Sequence, residues 1–172
     1  FVQKFKMSIF SNILSVFYPR LCPSCKKVLA EEDEVLCLEC QYDLPETNFH
    51  YFKDNSVMRL FWGKVNIENA AALYYFSKNS RVRRLIHNMK YRKKKEIAIF
   101  IGKKYGTELI KSELYSNIDL IIPVPLHKDR EKDRGFNQSL LFAEGLSQSM
   151  NITVCIDCLS RITNSETQTN KR

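Results

Sequence analysis

Residues 119–138, DLIIPVPLHKDREKDRGFNQ, set an apolar run against a proline-punctuated break, a charged stretch and the opening of a helical pattern. Leu120 to Val124 is short, mostly β-branched and uncharged, which reads as a strand buried on both faces. Pro123 and Pro125 cannot donate to a ladder, so the strand should end near Val124. The nearly alternating charges from Lys128 to Arg134 read as a loop closed by Gly135. Asn137 can then cap a helix with Leu140, Ala143, Leu146 and Met150 on one side. Asn151 to Leu159 alternates apolar and polar residues as a second strand should.

Strand, loop, helix, strand is a βαβ unit, the building block of a parallel sheet. Ligands of open α/β sheets bind outside the carboxyl ends of the strands, where His127 to Gly135 would lie. Amides opening the next helix make such a loop a candidate phosphate crevice, while its alternating charges equally describe a solvated loop.

A resemblance favours the crevice. Pro123-Val124-Pro125-Leu126-His127, with Arg130 and then Arg134-Gly135-Phe136-Asn137-Gln138, resembles the signature of the ComF family, phosphoribosyltransferase-like proteins named for a competence operon. The likeness runs from Cys22 to the end of the chain. It implies an α/β fold: an N-terminal four-cysteine zinc-ribbon module, then a type I phosphoribosyltransferase-like parallel sheet with flanking helices. The expected boundary falls between residues 65 and 66. By the same resemblance, residues 124–127 with Arg130, Arg134, Gly135, Asn137 and Gln138 would hold the pyrophosphate of phosphoribosyl pyrophosphate, with Mg²⁺ neutralising its charge. Lys90-Tyr91 would touch the substrate, as the family's helix ends in a Lys-Tyr pair. The polar segment Arg161 to Arg172 would be the flexible loop that closes over the site. It carries Ser165 and Gln168 where the family has Thr-x-x-Gln.

The family's two adjacent acidic residues and Thr-Gly-rich turn, which cradle the ribose 5-phosphate, do not occur in this sequence. The sheet is therefore expected to be partial and the chain inactive as it stands, with phosphoribosyl transfer belonging to a complete form.

The 172 residues include 27 Lys and Arg against 19 Asp and Glu, a formal charge of +8 that favours anionic partners. Four of the six cysteines form two C-x-x-C pairs, Cys22/Cys25 and Cys37/Cys40, eleven residues apart. Two such knuckles complete a tetrahedral four-sulfur zinc site with no open position, hence a structural and not a catalytic metal. Metal-binding cysteines fit a reducing, cytoplasmic compartment. No run approaches the ~18 apolar residues of a membrane span. Cys155 and Cys158 lie within the period-two segment, where an odd separation would point the thiols to opposite faces; they are expected to be structural or free thiols.

Elsewhere, Ile9 to Phe17 has helical spacing, Met7 is a candidate initiator, and Tyr42 to Asn69 reads as a connection with some short helix. Ala70 to Phe76 reads as a strand. Ser80 is positioned to cap a helix with the stripe Val82, Leu85, Ile86, Met89, and helical spacing continues from Ile97 to Leu114. Arg81, Arg83, Arg84 and Lys93 to Lys95 leave a second function open, a non-catalytic protein binding single-stranded DNA in the uptake machinery. A pseudoenzyme that binds a partner through an exposed sheet edge is a third.

Overall fold

In a computed structural model of the chain, the described residues are 18–92 and 94–163. The helical pattern expected over Ile9 to Phe17, Lys93, and the expected loop residues Ser165 and Gln168 lie outside them. The chain divides between Leu44 and Pro45 into two compact units.

The first unit is a cysteine knuckle followed by a short helix. Leu21 and Val28 form an antiparallel bridge. Between them the Lys26 amide donates to the Cys22 carbonyl at 2.9 Å, with Lys26 in the left-handed region at φ 72°. Cys37 then precedes helix α1, Leu38–Asp43, which carries Cys40 in its first turn. Leu36, Cys40 and Leu44 are buried with Cys22.

In the second unit, residues 45–65 are tied to the segment around Leu73 and Tyr75. The Thr47 amide donates to the Leu73 carbonyl and the Tyr75 amide to the Pro45 carbonyl, both at 2.9 Å. The chain turns through short 3-10 helices at Phe49–Tyr51 and Met58–Leu60. Asn55 anchors these turns: its Nδ2 donates to the carbonyls of Phe52 at 2.9 Å and Ala70 at 2.8 Å, and its Oδ1 accepts from the amides of Val57 and Met58. The strand expected over Ala70 to Phe76 is reduced to one antiparallel bridge, Glu46 with Tyr74. Its partner leaves the extended conformation at Asn48, which is left-handed at φ 56°, so no ladder can propagate.

Helix α2, Arg81–Tyr91, is capped as expected by Ser80, whose side chain accepts from the Arg83 amide. Helix α3 follows over Lys95–Ile110 and a 3-10 turn over Glu113–Tyr115. Strand β1, Leu120–Ile121, pairs in parallel with β2, Thr153–Val154, in the register Leu120 with Thr153 and Ile121 with Val154. The expected parallel βαβ connection is present, but both strands are only two residues long. β1 is not buried on both faces: Leu120 is 41% and Ile122 45% exposed, because among the described residues β2 is the only strand beside it.

The charged stretch expected to be a loop is a helix, α4, Lys128–Arg134. The His127 ring accepts from the Asp129 amide at its start, and Gly135 ends it in the left-handed region at φ 80°. Asp129 and Glu131 fall in its first turn beside Lys128 and Arg130, and Lys132 and Arg134 in its last beside Asp133, so charges of both signs sit at each end. Asn137 caps α5, Gln138–Met150, by accepting from the Ser139 amide at 3.0 Å.

The core of this unit lies where α3 crosses α5. Leu73, Tyr105 and Leu109 are buried there, with Ile101, Phe142, Leu146 and Met150 packed around them. Gly102 and Gly106, which count against a helix by propensity, face Gly145 and Ser149 across the crossing: a Cβ on Gly106 would stand 2.9 Å from the Ser149 Cβ.

His50 is 1% exposed, edge-on to Tyr105 at 5.6 Å, and neither ring nitrogen has a hydrogen-bond partner among the described residues. Burial lowers its pKa below the ordinary 6.5, against the opposing pull of Glu108 and Glu46. The folded state therefore favours the neutral ring, while the unfolded chain takes up a proton as the pH falls through about 6.5. Stability contributed by neutral His50 is complete above that pH and declines below it, down to the lowered folded value. Urea midpoints of the second unit measured at pH 7.5 and 5.5 should fall more in the native chain than in His50→Phe; equal falls would show that His50 is not the titrating group.

Candidate functional sites

The first site is the cysteine cluster. The Sγ atoms of Cys22, Cys25, Cys37 and Cys40 all lie within 4.8 Å of one another, and those of Cys25 and Cys37 are 3.5 Å apart. Tetrahedral Zn–S bonds of about 2.3 Å place sulfurs about 3.8 Å apart, so the four could hold a metal ion such as zinc. The first pair comes from the turn between Leu21 and Val28, the second from the start of α1. Burial pushes the Cys22 thiol up, but hydrogen bonds from the backbone of Cys25, Cys37 and Ser24 outweigh it and bring it down to about 7. Burial, followed by the Cys25 and Cys37 thiols, pushes Cys40 up to about 12, and burial raises Cys37 as well. Four thiols this close resist ionising together unless a cation sits among them, the condition a metal ion satisfies.

The second site is a cavity of about 700 Å³ in the second unit. One wall is the segment leaving β1, Pro123 to Leu126; a second is the α5 entry, Asn137 to Ser139; α2 closes a third side with Val82, Leu85, Ile86 and Met89. Asn137 joins two of these walls, since its Nδ2 donates to the Val124 carbonyl at 3.2 Å. Lys90, Arg130, Arg134 and Arg161 line the cavity, and no carboxylate does among the described residues. The helix over 128–134 is what brings Arg130 and Arg134, four residues apart, to one side. Arg134 donates to the Gln138 Oε1 at 2.9 Å. The Nε2 of Gln138, a residue only 7% exposed, has no partner among the described residues. Burial, and then the charge of Arg134, lowers the Lys90 pKa from its ordinary 10.5, the mark of cations held close together away from water.

Of the residues singled out from sequence, Val124, Pro125, Leu126, Arg130, Arg134, Asn137, Gln138, Lys90 and Arg161 thus line one cavity. Three do not. His127 is engaged in capping α4, Gly135 ends that helix, and Tyr91 is exposed with the Arg134 guanidinium 5.9 Å from its ring centroid. The apolar lining from Leu73, Phe76 and Phe142 was not anticipated as part of a site. Its only sequence signal is apolar spacing, which an ordinary core shares.

Cys155 and Cys158 are joined as a disulfide, not left as thiols. The strand expected to keep them on opposite faces ends at Val154, and the bends after it bring the two Cα atoms within 5.7 Å. Among the described residues no helix is long and apolar enough to cross a membrane. No protein-family model, no curated protein and no solved structure matches this chain.

Proposed function

We propose that this chain is a ComF-like member of the phosphoribosyltransferase superfamily. Its cavity takes the pyrophosphate of phosphoribosyl pyrophosphate with Mg²⁺, its four cysteines hold a structural zinc, and its complete form transfers a phosphoribosyl group in support of DNA uptake. The observation that carries this reading is the cavity lined by Lys90, Arg130, Arg134 and Arg161 with no carboxylate among the described residues. Four cations grouped around one recess attract a multiply charged anion, and the planar guanidinium fork suits phosphate oxygens. The Nε2 of Gln138 offers a further donor at the same place. Phosphoribosyl transfer needs little more from a protein than this positioning and electrostatic stabilisation.

Calorimetric titration of inorganic pyrophosphate with Mg²⁺ should show saturable binding to this chain. Arg134→Ala should weaken it at least tenfold, the loss of one charge-assisted hydrogen bond worth about 1.5–3 kcal/mol. Arg83→Ala, on the exposed face of α2, should leave it unchanged. Equal affinity in all three proteins would exclude the cavity as the binding site.

The exposed Arg83, Arg84 and His87 of α2 favour one second reading, attachment of single-stranded DNA along that helix. It requires the opposite outcome: steeply salt-dependent DNA binding that is lost in Arg83→Ala/Arg84→Ala and retained in Arg134→Ala.

A further inference from the structure

We propose that the Cys155–Cys158 disulfide is a redox switch that fixes the position of Arg161, and that its opening loosens anion binding in the cavity; the second half rests on the cavity being the pyrophosphate site. The Cys155 amide donates to the Ile121 carbonyl at 2.9 Å, which makes Cys155 the last residue of the second strand's path held by the ladder. Beyond it every described residue is exposed, including Ile156 at 62%, Leu159 at 53% and Ile162 at 89%. Apolar side chains so exposed contribute almost no burial energy, so packing does little to hold this segment. Arg161 nevertheless lines the cavity. What shortens its tether is the disulfide, which returns Cys158 to the anchored Cys155.

With the bond closed, Arg161 is three steps along the chain from Cys158, which the disulfide ties to the anchored Cys155; with it open, it is six steps from Cys155. The effective concentration of a tethered group falls roughly as the −3/2 power of tether length, so opening the bond dilutes Arg161 at the cavity about threefold. The remaining four cysteines of the chain lie together in the first unit, outside any disulfide, so its six cysteines divide between two chemistries. In a reducing compartment a disulfide of this kind is characteristically transient and redox-sensing.

The step requires a dithiol reductant. Its thiolate attacks the exposed Cys158 Sγ, the Cys155–Cys158 bond breaks, and Cys155 leaves as a thiolate that takes up a proton. The reductant's second thiolate then attacks its own sulfur in the mixed disulfide and releases Cys158, which is protonated in turn. Two electrons and two protons pass to the protein, and the reductant ends as a cyclic disulfide.

The test uses the full chain with its metal bound, oxidised or treated with dithiothreitol, beside the Cys155→Ser/Cys158→Ser variant. Iodoacetamide should label Cys155 and Cys158 only after reduction. Trypsin should cut after Arg161 faster in the reduced chain and in the double variant, and the variant's rate should ignore dithiothreitol. The pyrophosphate Kd should rise about threefold on reduction and match that of the variant. Labelling of both cysteines before any reduction would overturn the proposal, as would an Arg161 cleavage rate that does not change when the bond opens. Cleavage that responds to dithiothreitol without pyrophosphate binding in either state would uphold the switch and dismiss the pyrophosphate reading of the cavity.

Discussion

Replacing Cys40 by Ser is expected to unfold the first unit while the second still unfolds cooperatively. The first unit's apolar support among the described residues is small: beyond its cysteines, the buried apolar residues there are Leu36 and Leu44. Burying two leucines contributes about 3–6 kcal/mol. A four-thiolate zinc site supplies about 10–16 kcal/mol, several times as much, which makes the metal the largest single support of this unit. Loss of one ligand also leaves the other three thiols close together in a partly dry site. The native chain should contain about one zinc by mass spectrometry, and Cys40→Ser or chelator treatment should abolish amide protection between residues 21 and 44. Amide protection there that survives complete zinc removal would show that the unit folds without metal.

Gly145→Ala is expected to destabilise the second unit even though alanine is the better helix former. Propensity alone favours alanine by about 1 kcal/mol. A Cβ on Gly145, however, would stand 2.9 Å from both the Gly102 Cα and the Lys103 backbone nitrogen, and neither atom can swing aside as a side chain could. The helices must separate, and Tyr105, Ile101, Phe142 and Leu146 lose contact around the point where they cross. Overpacking of this kind costs about 1–3 kcal/mol and more when backbone must move, so after the propensity gain the net effect is a loss of up to about 2 kcal/mol, and more where the backbone shifts. Gly102→Ala should behave alike, since its Cβ would stand 2.9 Å from the Gly145 Cα. A urea midpoint raised by either substitution would mean that the helices are not in close contact there.

Legibility tracked the range of the forces involved. The caps at Ser80 and Asn137 are local hydrogen bonds and were readable from single residues. The cysteine spacing was readable because a metal imposes its own geometry on whatever chain binds it. The parallel pairing of β1 with β2 was implied by the apolar patterns on either side of one helix. Lys128 to Arg134 misled because alternating charge fits a solvated loop as well as a helix; the signal passed over was Gly135, which ends a helix in the left-handed region as readily as it closes a loop. Ala70 to Phe76 has the composition of a strand, but a strand needs a partner, and its partner turns away at Asn48. Gly102, Gly106 and Gly145 counted only as helix weakeners, since their value lies in a contact between segments about 40 residues apart.

The half-exposed run that leaves β1 bears on how the chain behaves at high concentration. Leu120, Ile122 and Val124 are apolar, well exposed, and next to a strand with one neighbour among the described residues, which are the ingredients of stacking between copies into fibrils. Pro123 and Pro125 interrupt that run at every second residue. With Ile121 turned to β2, Pro123 and Pro125 fall on that same edge by alternation, so the segment that walls the cavity stops the two-strand ladder from lengthening, and its outer edge offers a second chain the amides of Ile122 and Val124.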